Sequence, residues 1–381
     1  MEHEYQKIAQ QISCLYPDLP EKVLRDFARL LSGNKEHISV IRSSDRPIDF
    51  DHQERVIGFG NGFDWLHEPN LALILNPFDI DSIGPLKTAG KVLTDNLEKR
   101  GITPEGGLTF MVSSPYRESG SDYKHAILKA DDLICLGYQV IKDNYPKLLD
   151  MGLQFIAGTM NENDRHFQRL DMTQLRYFRE KGYAQSEDNP MTVYLLKRNE
   201  EQSSMFVNKH FEREKYRRNF STEIMAFKCM DGRINLSLAT ETPVGIIQPI
   251  RNVGAKFSLG WKALYDKVKA WLQYSLGRDR EALVLATYHF SAEKPHLGCA
   301  GHDYNTEQAK QNAIAFAKDV DDVFGSGKLS PINSIVIGFN TDDDSLIIWD
   351  KSGKEKFEVA SLLPSVNSYE EQVRIGAKVN N

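Results

Sequence analysis

Cysteine is scarce in this chain, with 4 in 381 residues. So few thiols cannot frame a disulfide-stapled fold, and they suit a reducing compartment where sulfur stays free for metal binding or chemistry. An excess of basic charge is also missing. With 47 Lys and Arg against 53 Asp and Glu, the formal net charge is −6. That balance argues against nucleic acid as a main partner, because phosphate-binding proteins normally present a basic face. One locally basic segment, Lys209 to Arg218, reads as the solvated side of an amphipathic helix. No apolar run approaches the roughly 20 residues needed to cross a bilayer. The start, Met1-Glu2-His3-Glu4-Tyr5, has neither the basic flank nor the apolar stretch of a signal peptide. The expectation is a cytoplasmic protein without a membrane partner.

What remains is ordinary globular composition, 41% hydrophobic and 26% charged, over a length that suits two or three domains. Residues 1–50 read as a helical segment. Asp18 is placed to cap a helix begun by Pro20, Leu24, Phe27, Leu30 and Leu31 give it an apolar stripe, and Gly33 offers a stop. From Arg55 onward, short apolar runs alternate with helical stretches, the pattern of an α/β fold on a mostly parallel sheet flanked by helices. The runs are Val56–Phe59, Leu71–Leu75, Leu108–Ser113 and Leu153–Gly158. Between Asp171 and Asn208 we expect a helix over Thr173–Lys181, a strand over Met191–Leu196 and a charged linker.

The order of runs then returns. Val56–Phe59 is matched by Ile224–Phe227, Leu73–Phe78 by Gly245–Ile250, Leu108–Val112 by Leu283–Thr287, and Phe155–Gly158 by Val336–Gly338. This implies an internal duplication, with a first unit over 51–200, a second over 201–381 and a boundary near Arg198–Ser204. A hairpin over Leu346–Trp349 and Lys356–Val359 closes the second unit. The units differ in chemistry. Asn61, Phe63 and Trp65 stand in the first where Cys229, Asp231 and Arg233 stand in the second, and nothing in the first matches Cys299.

Two cysteines with a histidine are a soft donor set, which gives a zinc ion three protein ligands and leaves a fourth tetrahedral position open. Cys229 and Cys299 are the sulfur candidates, and His289 and His296 are the imidazole candidates. Cys229 and His289 follow apolar runs and so fall at carboxyl ends of strands, where open α/β sheets bind ligands. Cys299 lies near the start of a helix over Thr306–Phe324, whose positive end favours a thiolate. Asp231 and Arg233 sit two and four residues beyond Cys229. An arginine fork would keep that carboxylate ionised and fixed in direction, as an acceptor that orients a water molecule.

Cys229-x-Asp231-x-Arg233, then Arg251-Asn252-Val253-Gly254, then His296-x-x-Cys299-Ala300-Gly301 resemble, in order and separation, the motifs of β-class carbonic anhydrases. The resemblance covers roughly residues 205–345. It implies two tandem β-carbonic-anhydrase-like domains forming an intrachain pseudo-dimer, the first lacking metal ligands and the second catalytic. It also implies Zn2+ on Cys, His and Cys, an Asp231/Arg233 dyad, carbon dioxide and bicarbonate as substrate and product, and a possible homodimer of the fused chains. A fused pair with one degenerate half is similar to the carboxysomal shell branch, with the order of the copies reversed. His289 satisfies that family's rule that the ligand follows a strand, and His296 satisfies its spacing to the second cysteine. An insertion between the two, as in the shell branch, favours His289. His302 is a candidate proton carrier, and Gln248 and Tyr288 are candidate pocket residues. The alternatives are a related zinc hydrolase of carbon disulfide or carbonyl sulfide, and a non-catalytic zinc-binding interaction protein.

Overall fold

The computed structural model describes residues 2–33, 58–59, 71–75, 108–117, 120–161, 163–164, 166–176, 187–229, 231, 234–243, 245–293, 295 and 298–362. Two helices come first, α1 (Glu2–Leu15) and α2 (Glu21–Leu31). Pro20, and not Asp18, is the residue that caps α2. Its carbonyl accepts the first helical bond, from the Leu24 N–H at 2.9 Å, and no side chain caps the end. Phe27, Leu30 and Leu31 are buried as the stripe requires. The stripe packs on the second of two sheets, where α2 lies against β6 and β8, defined below.

The first sheet runs β1 (Gly58–Phe59), β2 (Leu71–Leu75), β3 (Leu108–Tyr116), β4 (Gln154–Asn161) and β5 (Phe167–Arg169), in that spatial order. β2, β3 and β4 are parallel, and the two edge strands are antiparallel to their neighbours. Helices α3 (Ser121–Asn144) and α4 (Pro146–Asp150) connect β3 to β4.

Two expectations fail in the stretch that follows. Met191–Leu196 is not a strand, and 198–204 is not a linker. Both lie inside one helix, α5 (Pro190–Asn208). The local chemistry explains this. Asn189 Oδ1 accepts the Thr192 N–H at 2.8 Å, as an N-cap should, with proline in the first helical position. Leu, Lys, Arg, Glu and Gln then carry the helix on. The start is anchored to the sheet, since Thr192 Oγ1 donates to Gln154 Oε1 at 2.6 Å and meets Thr109 Oγ1 at 2.9 Å. Thr173 lies in a 3-10 turn, Met172–Gln174, capped by Asp171, and 177–186 fall outside the described residues.

After α6 (His210–Asn219) comes the larger sheet. Its strands are β6 (Thr222–Cys229), β7 (Ile247–Asn252), β8 (Glu281–Phe290), β9 (Ile332–Asn340), β10 (Leu346–Trp349) and β11 (Lys356–Glu358). They lie in the order β11-β10-β9-β8-β6-β7. β7, β6, β8 and β9 are parallel, and every residue of β6 and β9 is buried. Continuous apolar runs are what a parallel strand covered on both faces demands. Helices α7 (Leu236–Ala239), α8 (Lys262–Leu276) and α9 (Thr306–Phe324) complete the unit. α9 packs on β8 and β9, and its Phe316 ring stands 4.6 Å from that of Phe227 on β6. β10 and β11 form the expected hairpin, which extends the sheet through β9.

The parallel pair β3–β4 followed by antiparallel β5 repeats the pattern β8–β9–β10. The strand-for-strand matching shifts before that. Gly58–Phe59 forms an edge and not the counterpart of central β6, while Leu71–Leu75 pairs with β3 as β6 pairs with β8. A five-residue apolar run can fill an interior position that a two-residue segment cannot. Asn61, Phe63 and Trp65 lie outside the described residues. No helix among the described residues is long and apolar enough to cross a membrane.

Candidate metal centre

From β6 the chain goes to β7 on one side, then returns to place β8 on the other. That reversal opens a crevice beyond the carboxyl ends of β6 and β8, the position where α/β sheets bind ligands. Cys229 is the last residue of β6, and His289 lies one residue from the end of β8. Both stand within their strands and not after them, and His289 is held in register with Phe339 of β9. Cys299 enters from the loop beyond β8.

The potential ligand atoms of Cys229, His289 and Cys299 all lie within 4.8 Å of one another, and all three residues are buried. The two sulfurs are 3.8 Å apart, and all four cysteines of the chain are free. That gap is too long for a disulfide, which needs about 2.05 Å. It is the separation of two thiolates each about 2.3 Å from one tetrahedral zinc ion, which geometry puts at about 3.8 Å. Both ring nitrogens of His289 are buried, with no hydrogen-bond partner by geometry among the described residues. A buried imidazole so placed is costly unless something else satisfies it. The donor set therefore fits a zinc ion on its chemistry and its spacing.

The two thiols are pushed in opposite directions by their mutual contact. Burial pushes the Cys229 thiol up, but the hydrogen bond from Cys299 and the nearby His289 imidazole outweigh it and hold Cys229 well below the usual thiol range. Donating that bond, together with burial, holds Cys299 well above it. The Asp231 carboxylate opposes ionisation of both sulfurs, which places its charge close to the pair. Asp231 is 7% exposed. Arg233 and His296 lie outside the described residues.

Three features hold this geometry; the sequence assigned no role to the first two and marked the third, His302, as a candidate proton carrier. Arg251, buried on β7, reaches across the end of β6. Its Nη1 donates to the carbonyls of Cys229 and Asp231 at 3.0 and 2.9 Å, and its Nη2 to that of Ile234 at 2.8 Å. Lys228 Nζ also donates to Ile234 O, at 3.1 Å. The loop that carries Cys229 and Asp231 is thus held by its backbone. Next, Gly254 has φ +65°, and Gly301 packs so tightly on it that a Cβ there would fall 2.6 Å from the Gly254 nitrogen. Only glycine allows the Cys299 loop to approach this closely. Third, His302 Nε2 donates to Gly254 O at 2.7 Å, tying the same two loops. Burial holds His302 below its usual range, against the pull of that bond. The signal was visible in Arg251-Asn252-Val253-Gly254 and Ala300-Gly301, but its meaning needed three dimensions.

Cys299 does not sit on the first turn of α9. That helix is capped by Asn305, whose Oδ1 accepts the Gln308 N–H at 2.9 Å. Cys299 instead heads a separate 3-10 turn, Ala300–His302, and the Gly301 N–H serves its sulfur. Tyr288 turns to Trp349, accepting the indole N–H at 2.8 Å, and Gln248 lines a cleft at the other end of the sheet.

A family profile described as Carboxysome Shell Carbonic Anhydrase, catalytic domain, matches residues 223–380. A carboxysome shell carbonic anhydrase of Hydrogenovibrio crunogenus is 30% identical over 136 residues, 31% of this chain and 24% of that protein. One from Prochlorococcus marinus is 28% identical over 159 residues, 37% of this chain and 30% of that protein. This chain thus spans less than a third of the length of these curated relatives, and the matched part is carboxysome-shell-carbonic-anhydrase-like in sequence.

Proposed function

We propose that residues 201–381 form a zinc-dependent carbonic anhydrase domain that interconverts carbon dioxide and bicarbonate, with Cys229, His289 and Cys299 holding the ion. The observation that carries this reading is the buried Cys-His-Cys cluster at the strand crossover, with its spare histidine nitrogens and zinc-like sulfur spacing. The similarity over 223–380 to a carbonic anhydrase catalytic domain supports it independently. When bound, a zinc ion supplies Lewis acidity and a water of lowered pKa, about 7 in the well-known carbonic anhydrase site whose three ligands are all histidines.

The chain's own residues do the rest. Asp231 accepts a hydrogen bond from the attacking water and directs its lone pair towards carbon dioxide, and Arg233 holds the carboxylate in place. Arg251 fixes both Cys229 and Asp231 through their carbonyls. His302 is tied to Gly254, so it positions the Cys299 loop. The N-terminal half, with its β3–β4–β5 pattern, stands as the partner unit of an intrachain pair.

The test pairs metal analysis with stopped-flow hydration of carbon dioxide. We expect one zinc per chain, loss of both zinc and hydration in Cys229→Ala and His289→Ala, and retention of both in His296→Ala. Arg233→Ala should keep zinc and lose turnover. Zinc-loaded protein that hydrates carbon dioxide no faster than buffer would refute the proposal, and turnover of carbon disulfide or carbonyl sulfide in its place would redirect it.

A further inference from the structure

At the opposite end of the large sheet lies a cleft of about 560 Å³. It falls in the range of small-molecule sites. Glu223 and Gln248, in its wall, stand near the amino ends of β6 and β7, whereas Cys229 ends β6. Six residues of strand separate Glu223 from Cys229, about 20 Å. The cleft is therefore not the mouth of the metal centre.

Its lining is basic. Arg117, Arg213, Arg217 and Lys267 line it with Glu223 as the lone carboxylate among the described lining residues, although Arg217 is also paired with Glu214, at 3.0 Å, outside that lining. Glu223 is itself engaged, with Arg280 Nε 2.7 Å from its Oε1, an ion pair by distance although that N–H is not aimed as a hydrogen bond. Arg213 is the informative member. It is 3% exposed, its guanidinium lies 3.7 Å from the centre of the Phe206 ring, and Nη1 donates to the Phe206 carbonyl. Among the described residues no carboxylate forms an ion pair with it. Burial, and then Arg217, press its pKa downward against a smaller upward pull from Glu214. A buried cation set beside other cations is unfavourable unless an anion joins them.

A second observation is independent of charge. Trp271, also in the wall, is 5% exposed, and its buried indole N–H meets no acceptor among the described residues. Buried donors in native proteins are almost always satisfied. An oxygen-rich anion would answer both this donor and the arginine forks, which match carboxylate and phosphate geometry. We propose that this cleft binds a small, multiply charged oxyanion, carried on phosphate or carboxylate groups. Arg117 reaches the cleft from the end of β3, and its carbonyl accepts Asn163 Nδ2 at 2.9 Å, so the ligand would also tie the first sheet to α6 and α8.

The test is calorimetric titration of the intact chain with pyrophosphate and, separately, with tricarballylate, at constant ionic strength set by potassium chloride. We expect saturable binding of at least one of them, with quenching of Trp271 fluorescence that Trp271→Phe removes. Pyrophosphate alone would identify a phosphate ligand, and tricarballylate alone a carboxylate. Arg217→Gln combined with Lys267→Gln, which spares buried Arg213, should weaken binding at least tenfold while the melting temperature without ligand holds. No saturable binding of either anion, or equal affinity in the double variant, would overturn the assignment.

Discussion

Arg251 shows how much of the centre rests on one side chain outside the ligand set. Its fork spans the carbonyls of Cys229, Asp231 and Ile234, three acceptors that no point charge can serve together. Arg251→Lys should therefore fail to rescue the loop, lowering stability by about 2–3 kcal/mol. Zinc should bind more weakly, both effects being read by thermal melts and metal competition. A lysine variant with the parent's melting point and zinc affinity would remove Arg251 from this role. The opposed shifts of the two thiols give a prediction with a sign. At a pH between the lowered range of Cys229 and the raised range of Cys299 the pair would hold one proton, which zinc binding must expel. Affinity should thus rise with pH, by about tenfold per unit for one proton, between the two thiol pKa values. Calorimetry in buffers of different ionisation enthalpy should find about one proton released by the thiols per zinc. The candidate ligands were legible because soft donors are rare in this sequence. Between the two histidines the sequence favoured His289 for following a strand, and β8 pairs it with Phe339 of β9 while it stands near both sulfurs; His296 lies outside the described residues.

Among the elements, the parallel strands of the large sheet and the closing hairpin were readable from apolar runs and turn residues alone. The helical state of α5 was hidden, because Met191–Leu196 taken by itself is a plausible buried strand, and only the Asn189-Pro190 cap settles it as helix. Docking of α2 on the sheet was equally hidden. Asp26 is 2% exposed, and its Oδ2 accepts from the Ser221 and Thr222 N–H groups at 2.8 and 3.0 Å and from Thr222 Oγ1 at 2.9 Å. These partners lie about 195 residues away in sequence, so no local pattern announces them. Asp26→Ala would leave donors at the start of β6 unserved, which costs about 1–3 kcal/mol. Thermal denaturation should show a lower midpoint with zinc still bound. The loss should be less than additive with Thr222→Val, since the two share one hydrogen bond. Strict additivity would separate Asp26 from β6.

At the scale of the molecule, the first 33 residues are part of the fold of a sheet that begins almost 200 positions later. Tyr16 makes the same point as Asp26, since its hydroxyl donates to Trp349 O on β10 and accepts the Val336 N–H of β9 at 3.0 Å. Ile8, Ile12, Val23, Phe27, Leu30 and Leu31 are 0–3% exposed, in the same apolar core as Phe227, Leu285 and Val336. Burying side chains of this kind contributes about 1.5–3 kcal/mol each, so six together approach or exceed the 5–15 kcal/mol by which a whole domain is stable. A chain from which residues 1–33 have been deleted should therefore be insoluble, or soluble only as a dye-binding, expanded form with no fixed melting transition. Restoring the segment as a separate peptide should recover cooperative unfolding, because the face it covers would still be shaped by α9 and β9. If the shortened chain were instead monodisperse, zinc-loaded and unchanged in melting temperature, the helices would be an appendage, and the large sheet would have to owe its stability to α8 and α9 alone.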